Sequence, residues 1–224
     1  MSTTWRLRGL LQAARHRLTF SGAQLRFSTA QARLRLLAVF PPVKIVSSEL
    51  EIREFGPQDV AQVAAFVAAE DRTALPPGSP EAVADVDEWL AATVHRRRLD
   101  GEGVHLAMVQ TASGEIVGSL GLRDTDWRAG RSEIGYGVRA SRRGRGHATE
   151  AARAVGRWAL TEGGMRRIQM RVRLDNVVSL RVAEKAGYHR EGILRMVDWD
   201  GEKAHDLAVF SMIATDLETA ETAH

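Results

Sequence analysis

The residues with the clearest chemical purpose lie in one short run, Arg142 to Glu150, which reads Arg-Arg-Gly-Arg-Gly-His-Ala-Thr-Glu. Gly144 and Gly146 can adopt positive φ angles and carry no Cβ, so backbone N–H groups around them can approach an anion closely. A helical pattern begins directly behind them at Ala148. The start of a helix adds unpaired N–H groups and a positive dipole end. The run therefore predicts a turn that binds the phosphates of a cofactor, with arginines beside it.

The spacing of this turn excludes two common phosphate loops. A nucleoside-triphosphate loop continues into Lys and Ser or Thr, whereas Gly146 is followed by His147 and Ala148. A dinucleotide loop needs Gly or Ala three residues after its second glycine, and Thr149 occupies that place. The remaining pattern, Arg-x-x-Gly-x-Ala, is met by Arg143 to Ala148. It resembles the acyl-CoA pyrophosphate loop of the GCN5-related N-acetyltransferase (GNAT) superfamily.

A second motif follows one predicted strand later. Residues 166–173 alternate apolar and polar side chains, which is typical of a half-buried strand. The next helix is predicted to begin with Asn176 as its N-cap and to stop at Gly187. Its sequence, Asn-x-x-Ser-x-x-x-x-Glu-Lys-x-Gly-Tyr, is similar to the RimJ/RimL-type ribosomal-protein N-acetyltransferase branch of the superfamily. The two motifs have the order and separation of that branch, and together they span about residues 133–195.

The resemblance implies an α/β fold, the GNAT fold, with a mixed, mostly antiparallel central sheet of about seven strands and helices on both faces. It implies transfer of an acetyl group from acetyl-CoA to a primary amine, by direct attack in a ternary complex and without a metal. The acceptor would be a protein N-terminal amine, a polyamine or an aminoglycoside-type amine. Family members are often monomers or homodimers, so either state is expected.

The resemblance also implies where the cofactor lies. The pantetheine arm would run beside the backbone of Tyr136, Gly137 and Val138, and the pyrophosphate would sit on the N–H groups of the loop. Ser179 matches a position near the thiol and is the candidate general acid; the alternative is that it only satisfies N–H groups at the start of its helix. The predicted cofactor-binding residues are Tyr136, Gly137, Val138, Arg143, Gly144, Arg145, Gly146, His147, Ala148, Asn176 and Ser179, with Arg142 as a further charge partner.

Two carboxylates compete for the role of general base. The attacking amine must be uncharged, so the site needs a group or a water path that takes its proton. Asp198 lies 19 residues after Ser179, where the family places a carboxylate, although the Asp side chain is short. Glu133 begins the strand beside the cofactor, and either residue could equally be a solvated surface group. Glu150 is predicted to return a capping bond at its helix start, and His147 to be a loop residue.

The elements that must position these groups follow from hydrophobic periodicity and turn residues. The predicted order is β-α-α-β-β-β-α-β-α-β-β. Strands are predicted at 50–55, 104–110, 115–122, 132–138, 166–173, 188–199 and 204–212. Helices are predicted at 58–69, at 79–98 with Ser79 as N-cap and Pro80 in its first turn, at 148–160, and at 176–186.

Composition narrows the classes of function. The chain of 224 residues has no cysteine, which excludes a disulfide framework and a thiolate nucleophile, and its seven histidines have no metal-ligand spacing. No uninterrupted apolar run reaches the ~18 residues of a membrane span. A cytoplasmic location is therefore expected.

Charge divides the chain into unequal parts. Residues 1–46 carry eight basic side chains and no acidic one, whereas the remainder has more acidic than basic residues. An acidic body suits a cationic substrate better than it suits DNA. The predicted organisation is a basic, poorly ordered N-terminal extension (1–46), an acyltransferase domain (47–216) and a C-terminal tail (217–224). Leucines at helical spacing within 7–18 would alternatively form a basic amphipathic helix for a membrane surface, RNA or a partner, and an organelle transit peptide is a further alternative.

Two other classes of function stay open on the sequence alone. One is a non-catalytic acyl-CoA-binding sensor or scaffold, which would bind the cofactor whether or not Ser179 and Asp198 are present. The other is an RNA- or ribosome-contacting protein that works through residues 1–46, with salt-dependent binding.

Overall fold

The computed structural model describes the backbone of residues 39–221 and the side chains of residues 39–217. Its strands are β1 (Lys44–Val46), β2 (Leu50–Glu54), β3 (Val104–Gln110), β4 (Ile116–Asp126), β5 (Arg131–Val138), β6 (Arg167–Arg173), β7 (His189–Trp199) and β8 (Ala204–Ile213). Its helices are α1 (Val60–Ala68), α2 (86–99), α3 (His147–Thr161), α4 (Val177–Lys185) and α5 (Ala214–Glu221). Helix α2 joins the segments Val86–Glu88, Trp89–Thr93 and Val94–Leu99, and the middle segment has π-helical spacing.

The described strands form one eight-stranded sheet in the order β1-β2-β3-β4-β5-β6-β8-β7. All neighbouring pairs are antiparallel except β5 and β6, which run parallel. The predicted mixed, mostly antiparallel sheet is confirmed, with one strand more than expected. The additional strand is β1, which pairs with β2 through Lys44, Ile45 and Val46.

A separate apolar core lies on each face of the sheet. On one face the buried side of α3, including Ala151 and Val155, packs against strand residues such as Leu106 and Met170. On the other face α1 and α2 bury aromatic and aliphatic side chains: Val63, Phe66, Trp89, Leu90 and Val94. Helices therefore cover both faces, as the periodicity of the sequence indicates.

The last residues of the predicted N-terminal extension pack on the domain. Phe40 is fully buried, and its ring lies 4.8 Å from Trp127 and 5.8 Å from Trp158 between centroids. Residues 1–38, with the leucine pattern at 7–18, lie outside the described residues, as do 222–224 of the predicted tail. Among the described residues, no helix combines the length and apolarity that crossing a bilayer requires.

The predicted start of the second helix at Ser79 and Pro80 is wrong, because α2 begins at Val86. The carbonyl of Pro80, which a helix start would direct to residue 84, instead accepts a hydrogen bond from Arg72 Nη1 (2.8 Å). Trp89 Nε1 donates to the carbonyl of Gly78 (3.0 Å). These contacts hold residues 72–81 as a loop, and that loop borders a cleft between β5 and β6.

Candidate active site

A cleft opens where β5 and β6 separate. The two strands pair through Arg131↔Arg167, Ser132↔Ile168 and Glu133↔Gln169, and the pairing stops there. The cleft has a volume of about 810 Å³ and is bounded by β4, β5, β6, the start of α4 and the loop 72–81. Strands that diverge leave backbone N–H and C=O groups without ladder partners. The edge of β5 after Glu133 can therefore hydrogen-bond an extended ligand.

Glycines on neighbouring strands shape the floor of this cleft. His105, Gly121 and Gly135 lie in one row across β3, β4 and β5. Because two of the three have no side chain, the row leaves space beside the imidazole. At Gly137 the backbone of the loop 72–81 comes close to the sheet, because a Cβ there would lie 2.4 Å from the carbonyl oxygen of Thr73. The missing side chain of Gly137 allows the loop 72–81 to approach the sheet.

The glycine turn has the predicted backbone conformation. Gly144 and Gly146 have φ angles of +75° and +88°, and α3 begins at His147 with Gly146 as its N-cap. No side chain caps this helix start, so its first N–H groups remain available. Residues 143–146 are exposed. The arrangement matches the predicted anion-binding turn in conformation and accessibility.

The arginines around the turn differ in availability. Arg142 forms an ion pair with Glu115, which also pairs with Arg139, and is therefore less available to a phosphate than the sequence suggests. Arg143 donates from Nε to the carbonyl of Val138 (3.1 Å). Arg145 is exposed and forms no ion pair within residues 39–217. It is the arginine of the turn that is freest to meet a phosphate.

Ser179 lines the cleft from the first turn of α4. The predicted cap is confirmed, because Asn176 Oδ1 accepts a hydrogen bond from the backbone N–H of Ser179 (3.1 Å). The side chain of Asn176 satisfies this N–H group, so the Ser179 hydroxyl is left to face the cleft. Capping and a role for the hydroxyl in the cleft are therefore compatible.

Tyr136 lies beside Ser179, although the sequence assigned it only backbone contacts. Its hydroxyl is buried and has no well-formed hydrogen bond to a described residue. Burial raises the pKa of Tyr136, and the nearby Ser179 side chain opposes that shift. Tyr136 and Ser179 thus bring two uncharged hydroxyl groups to the wall of the cleft.

Glu133 is held in ion pairs next to the cleft. Its side chain is only 2% exposed, and it accepts hydrogen bonds from Arg123, Arg171 and Gln169 Nε2 (3.2 Å). Burial alone would raise the pKa of this carboxyl, but the bonds from Arg171 and Arg123 lower it overall. The carboxylate faces a separate cavity of about 230 Å³. A carboxylate so engaged is a weak proton acceptor.

The structure does not bring Asp198 to the walls of the cleft. Its carboxylate pairs with Arg173 Nε at 2.5 Å, and the side chain is 37% exposed. The neighbouring His205 bonds to Asp200, which is a contact within the β7–β8 hairpin. Asp198 and Ser179 are therefore not assembled as an acid–base pair in this conformation.

The prediction for Glu150 is wrong, because its carboxylate does not return a capping bond. Oε1 accepts from Ser47 Oγ (2.5 Å), Ser48 Oγ (3.1 Å) and the N–H of Glu49 (2.9 Å). Helix α3 begins one residue earlier than predicted, at His147, so Glu150 is the fourth helical residue and faces the β1–β2 turn. It ties this turn to α3.

His147 is not a loop residue as predicted, since it opens α3 and is 2% exposed. Neither ring nitrogen has a hydrogen-bond partner among the described residues. Because the side chain of His147 is buried, only its backbone N–H group at the helix start can make the predicted contact with the cofactor. His147 and Ala151 are four residues apart, so they lie on the same face of the helix, and both are buried.

His105 is a cleft residue that the sequence analysis did not identify. It lines the cleft from β3, and burial, with a smaller contribution from the charge of Arg97, lowers its pKa to about 4. The imidazole is therefore uncharged at neutral pH and can accept a proton. The available signal was a single polar side chain inside the apolar run Val104 to Val109.

The lowered pKa of His105 predicts a pH dependence of stability. The unfolded chain binds a proton on this residue below about pH 6.5 and the folded chain only below about pH 4, so the free energy of unfolding decreases as the pH falls between these values. The loss is at most about 3 kcal/mol. Urea unfolding of the wild type and His105→Gln at pH 7 and 4.5 measures it. The variant should show the smaller decrease, and equal decreases would contradict the prediction.

The fold and the cleft together define a class of protein. The cleft between the diverging strands and the exposed glycine turn that follows β5 suit an elongated ligand that carries phosphate groups. The sequence profile described as "Acetyltransferase (GNAT) domain" matches residues 49–189. The chain therefore belongs to the GNAT acetyltransferase family.

Comparisons with individual proteins agree with this family. The chain is 26% identical to the uncharacterized N-acetyltransferase p20 of Bacillus licheniformis over 115 residues, which is 51% of the chain and 65% of that protein. It is 34% identical to the probable N-acetyltransferase YjcK of Bacillus subtilis over 105 residues, which is 46% of the chain and 58% of that protein. The chain thus spans less than two thirds of the length of these two relatives.

A solved structure has a similar fold at low sequence identity. Mycobacterium smegmatis RimJ, in complex with CoA-disulfide, aligns with a TM-score of 0.63 and 22% identity over 80% of this chain and 88% of that one. At this identity the likeness concerns the fold.

Proposed function

We propose that the protein is an N-acetyltransferase that moves an acetyl group from acetyl-CoA to a primary amine. The observation that carries this proposal is the cleft between β5 and β6, together with the exposed glycine turn and the uncapped helix start that follow β5 along the chain. RimJ, which shares the fold, has been crystallised with a CoA derivative, and this supports the choice of cofactor.

The direction of β5 orients the cofactor in this proposal. The strand runs from Arg131 to Val138 and leads into the turn, so the phosphates belong at residues 143–148 and the pantetheine arm beside Tyr136 to Val138. Acetyl-CoA supplies an activated thioester when it is bound. Its reactive end would then lie near Gly135, which shares a row with His105.

Each reacting group then has a neighbour of suitable chemistry. The amine nitrogen bonds to the acetyl carbon, the carbon–sulfur bond breaks, one proton leaves the nitrogen and one proton goes to the sulfur. Ser179 lines the cleft and is the proposed donor to the sulfur, and the Tyr136 hydroxyl beside it is an additional donor. Neither hydroxyl needs to be ionised for this role.

His105 is the proposed acceptor of the amine proton, ahead of Glu133 and Asp198. It lines the cleft, whereas Glu133 is occupied by two arginines and Asp198 by Arg173. Its low pKa makes it a weak base. A weak base suffices after attack, because the nitrogen of the tetrahedral intermediate is far more acidic than a free ammonium group. A water molecule between the two nitrogens would serve equally well.

The first experiment measures thiol release from acetyl-CoA with a panel of peptides, polyamines and small amines, and calorimetric binding of CoA in parallel. Turnover with CoA binding supports the proposal. Binding without turnover for any amine favours the sensor or scaffold alternative, and absence of CoA binding contradicts the cofactor assignment.

Replacing Ser179 by Ala is expected to lower kcat by about 10- to 100-fold, because the departing thiolate loses a positioned donor. The affinity for CoA should change by less than about twofold, since the cap from Asn176 uses the backbone of residue 179 and survives the substitution. Steady-state kinetics and calorimetry measure both effects.

Val178→Ala is the matched control for this substitution, because the neighbouring side chain is exposed and absent from the cleft walls. It should retain wild-type kcat. An undiminished kcat in Ser179→Ala would remove Ser179 from the mechanism and leave Tyr136 as the donor to test.

A further inference from the structure

The walls of the cleft carry an excess of positive charge. Four arginines line it, Arg72, Arg97, Arg123 and Arg171, against one carboxylate, the exposed Glu81. This contrasts with the net acidic domain. The field that a bound molecule meets depends on the side chains within a few ångströms, because more distant surface charges are screened.

Two of these arginines are neutralised by nearby carboxylates. Arg123 and Arg171 both pair with the buried Glu133, and Arg171 also lies 3.6 Å from Asp124. Within residues 39–217, the Arg72 guanidinium donates to the backbone carbonyls of Pro80 and Glu81 and has no carboxylate partner.

Arg97 is half-buried in the wall of the cleft and, unlike Arg72, Arg123 and Arg171, has no partner for its guanidinium among the described residues. Its guanidinium has neither a hydrogen bond nor an ion pair with any residue of the described part of the chain. Its charge reaches into the cleft, since it contributes to the lowered pKa of His105. A cation that is partly removed from water and has no partner is costly. Such a group is stabilised when an anion binds beside it.

The position of Arg97 separates it from the cofactor phosphates. It lies near the end of α2 next to His105, whose row across the sheet reaches Gly135 in the middle of β5. The glycine turn at 143–146 lies beyond the last residue of β5, at least eight residues after Gly135. An anion held by Arg97 would therefore belong to the molecule that enters beside the acetyl group.

We infer that the acceptor is a primary amine that also carries an anionic group, a carboxylate or a phosphate, and that Arg97 binds this group. The inference rests on the proposed acetyltransferase function. The glycine floor formed by Gly121 and Gly135 gives the acceptor its space, and His105 lies between the anion and the thioester. Polyamines, which carry only positive charge, are disfavoured, contrary to the expectation from the net charge of the domain.

Acceptors matched in size test this inference with the full-length protein. Alanine is compared with alaninamide, and phosphoethanolamine with ethanolamine, while spermidine represents the polyamines. We expect kcat/KM to be at least 10-fold higher for the anionic member of one pair. The carboxylate pair and the phosphate pair distinguish the two sources of negative charge. A preference for neutral amines or for spermidine overturns the inference.

Arg97→Gln should remove this preference by raising KM for the anionic acceptor, with kcat and the affinity for CoA nearly unchanged. Arg96→Gln is the control, because Arg96 is exposed and does not line the cleft. An unchanged ratio between the paired acceptors in Arg97→Gln also overturns the inference.

A binding measurement keeps this test independent of turnover. The thermal shift of the CoA-saturated protein is recorded with phosphoethanolamine and ethanolamine, and with alanine and alaninamide. Stabilisation by an anionic amine that is lost in Arg97→Gln, without turnover, would support the anion site and contradict the acetyltransferase function. Turnover of amines that does not depend on Arg97 would support the acetyltransferase function and contradict the anion site. Absence of both stabilisation and turnover by anionic amines overturns the inference.

Discussion

Gly146→Glu is expected to weaken CoA binding at least 100-fold while the protein remains folded. The glycine is the N-cap of α3 with a φ angle of +88°, and no atom lies within 4 Å of the position that a Cβ would occupy. The new side chain therefore fits sterically. Its carboxylate would compete with the cofactor phosphates for the N–H groups of the helix start and repel them. Calorimetric titration with CoA measures the loss.

Two variants separate charge from backbone strain in this test. Gly146→Ala introduces only the strain of a positive φ angle, roughly 1 kcal/mol, and should weaken binding by less than 10-fold. Gly201→Glu adds a carboxylate at a glycine with φ of +98° and open space, in the β7–β8 turn, and should leave CoA affinity unchanged. If folded Gly146→Glu bound CoA with wild-type affinity, the assignment of the turn to the phosphates would be wrong.

The features that the sequence predicted well are those decided by a few neighbouring residues. The positive φ angles of Gly144 and Gly146 and the cap by Asn176 depend on local sterics and on hydrogen bonds across three residues. Helix α3 and the strands around it were placed within a residue or two, because their apolar spacing is regular over a long segment. These elements carry the glycine turn and Ser179.

The features that the sequence did not reveal depend on partners far along the chain. Glu133 meets Arg171 only because β5 and β6 run parallel with Glu133 opposite Gln169. Glu150 meets Ser47 across 103 positions. For Glu133 the sequence offers several nearby arginines, and strand register decides which of them it meets. The place of His105 beside two glycines follows from the same register.

The loop 72–81 shows a second reason why prediction failed. Ser79 and Pro80 are good helix-start residues by themselves. Their preference is outweighed by two bonds: Arg72 occupies the carbonyl of Pro80, which a helix would need, and Trp89 holds the carbonyl of Gly78 just before it. The loop therefore closes over Gly137 and completes the cleft.

Glu133→Gln is expected to destabilise the protein by about 3 kcal/mol, because the substitution removes the buried carboxylate that pairs with Arg123 and Arg171. Arg123 is 47% exposed and can be rehydrated, which keeps the cost near the lower end for a broken buried pair. Urea unfolding at pH 7 measures it. Glu191→Gln is the control: a surface ion pair such as that of Glu191 with Arg167 is worth less than about 1 kcal/mol, and the glutamine oxygen can still accept the hydrogen bond from Ser211 Oγ.

The pH dependence of this loss has a defined sign. The pKa of Glu133 is lowered in the folded protein, so its contribution is present above the pKa of the unfolded chain, near 4.5, and decreases as the pH falls through the folded value. The difference in stability between wild type and Glu133→Gln should therefore shrink in acid.

The same variant decides whether Glu133 is a base or a structural partner. If Glu133 is a structural partner, kcat of the variant should stay within about 10-fold of the wild-type value at a temperature where the variant is folded. If Glu133 is the general base, the substitution should lower kcat by about 10²- to 10⁴-fold and flatten the acidic limb of the pH–rate profile. We expect the first result, because both oxygens of the carboxylate already accept hydrogen bonds from arginine and glutamine. The proton of the amine would then pass to His105, and His105→Gln in the same assay would carry the loss of kcat.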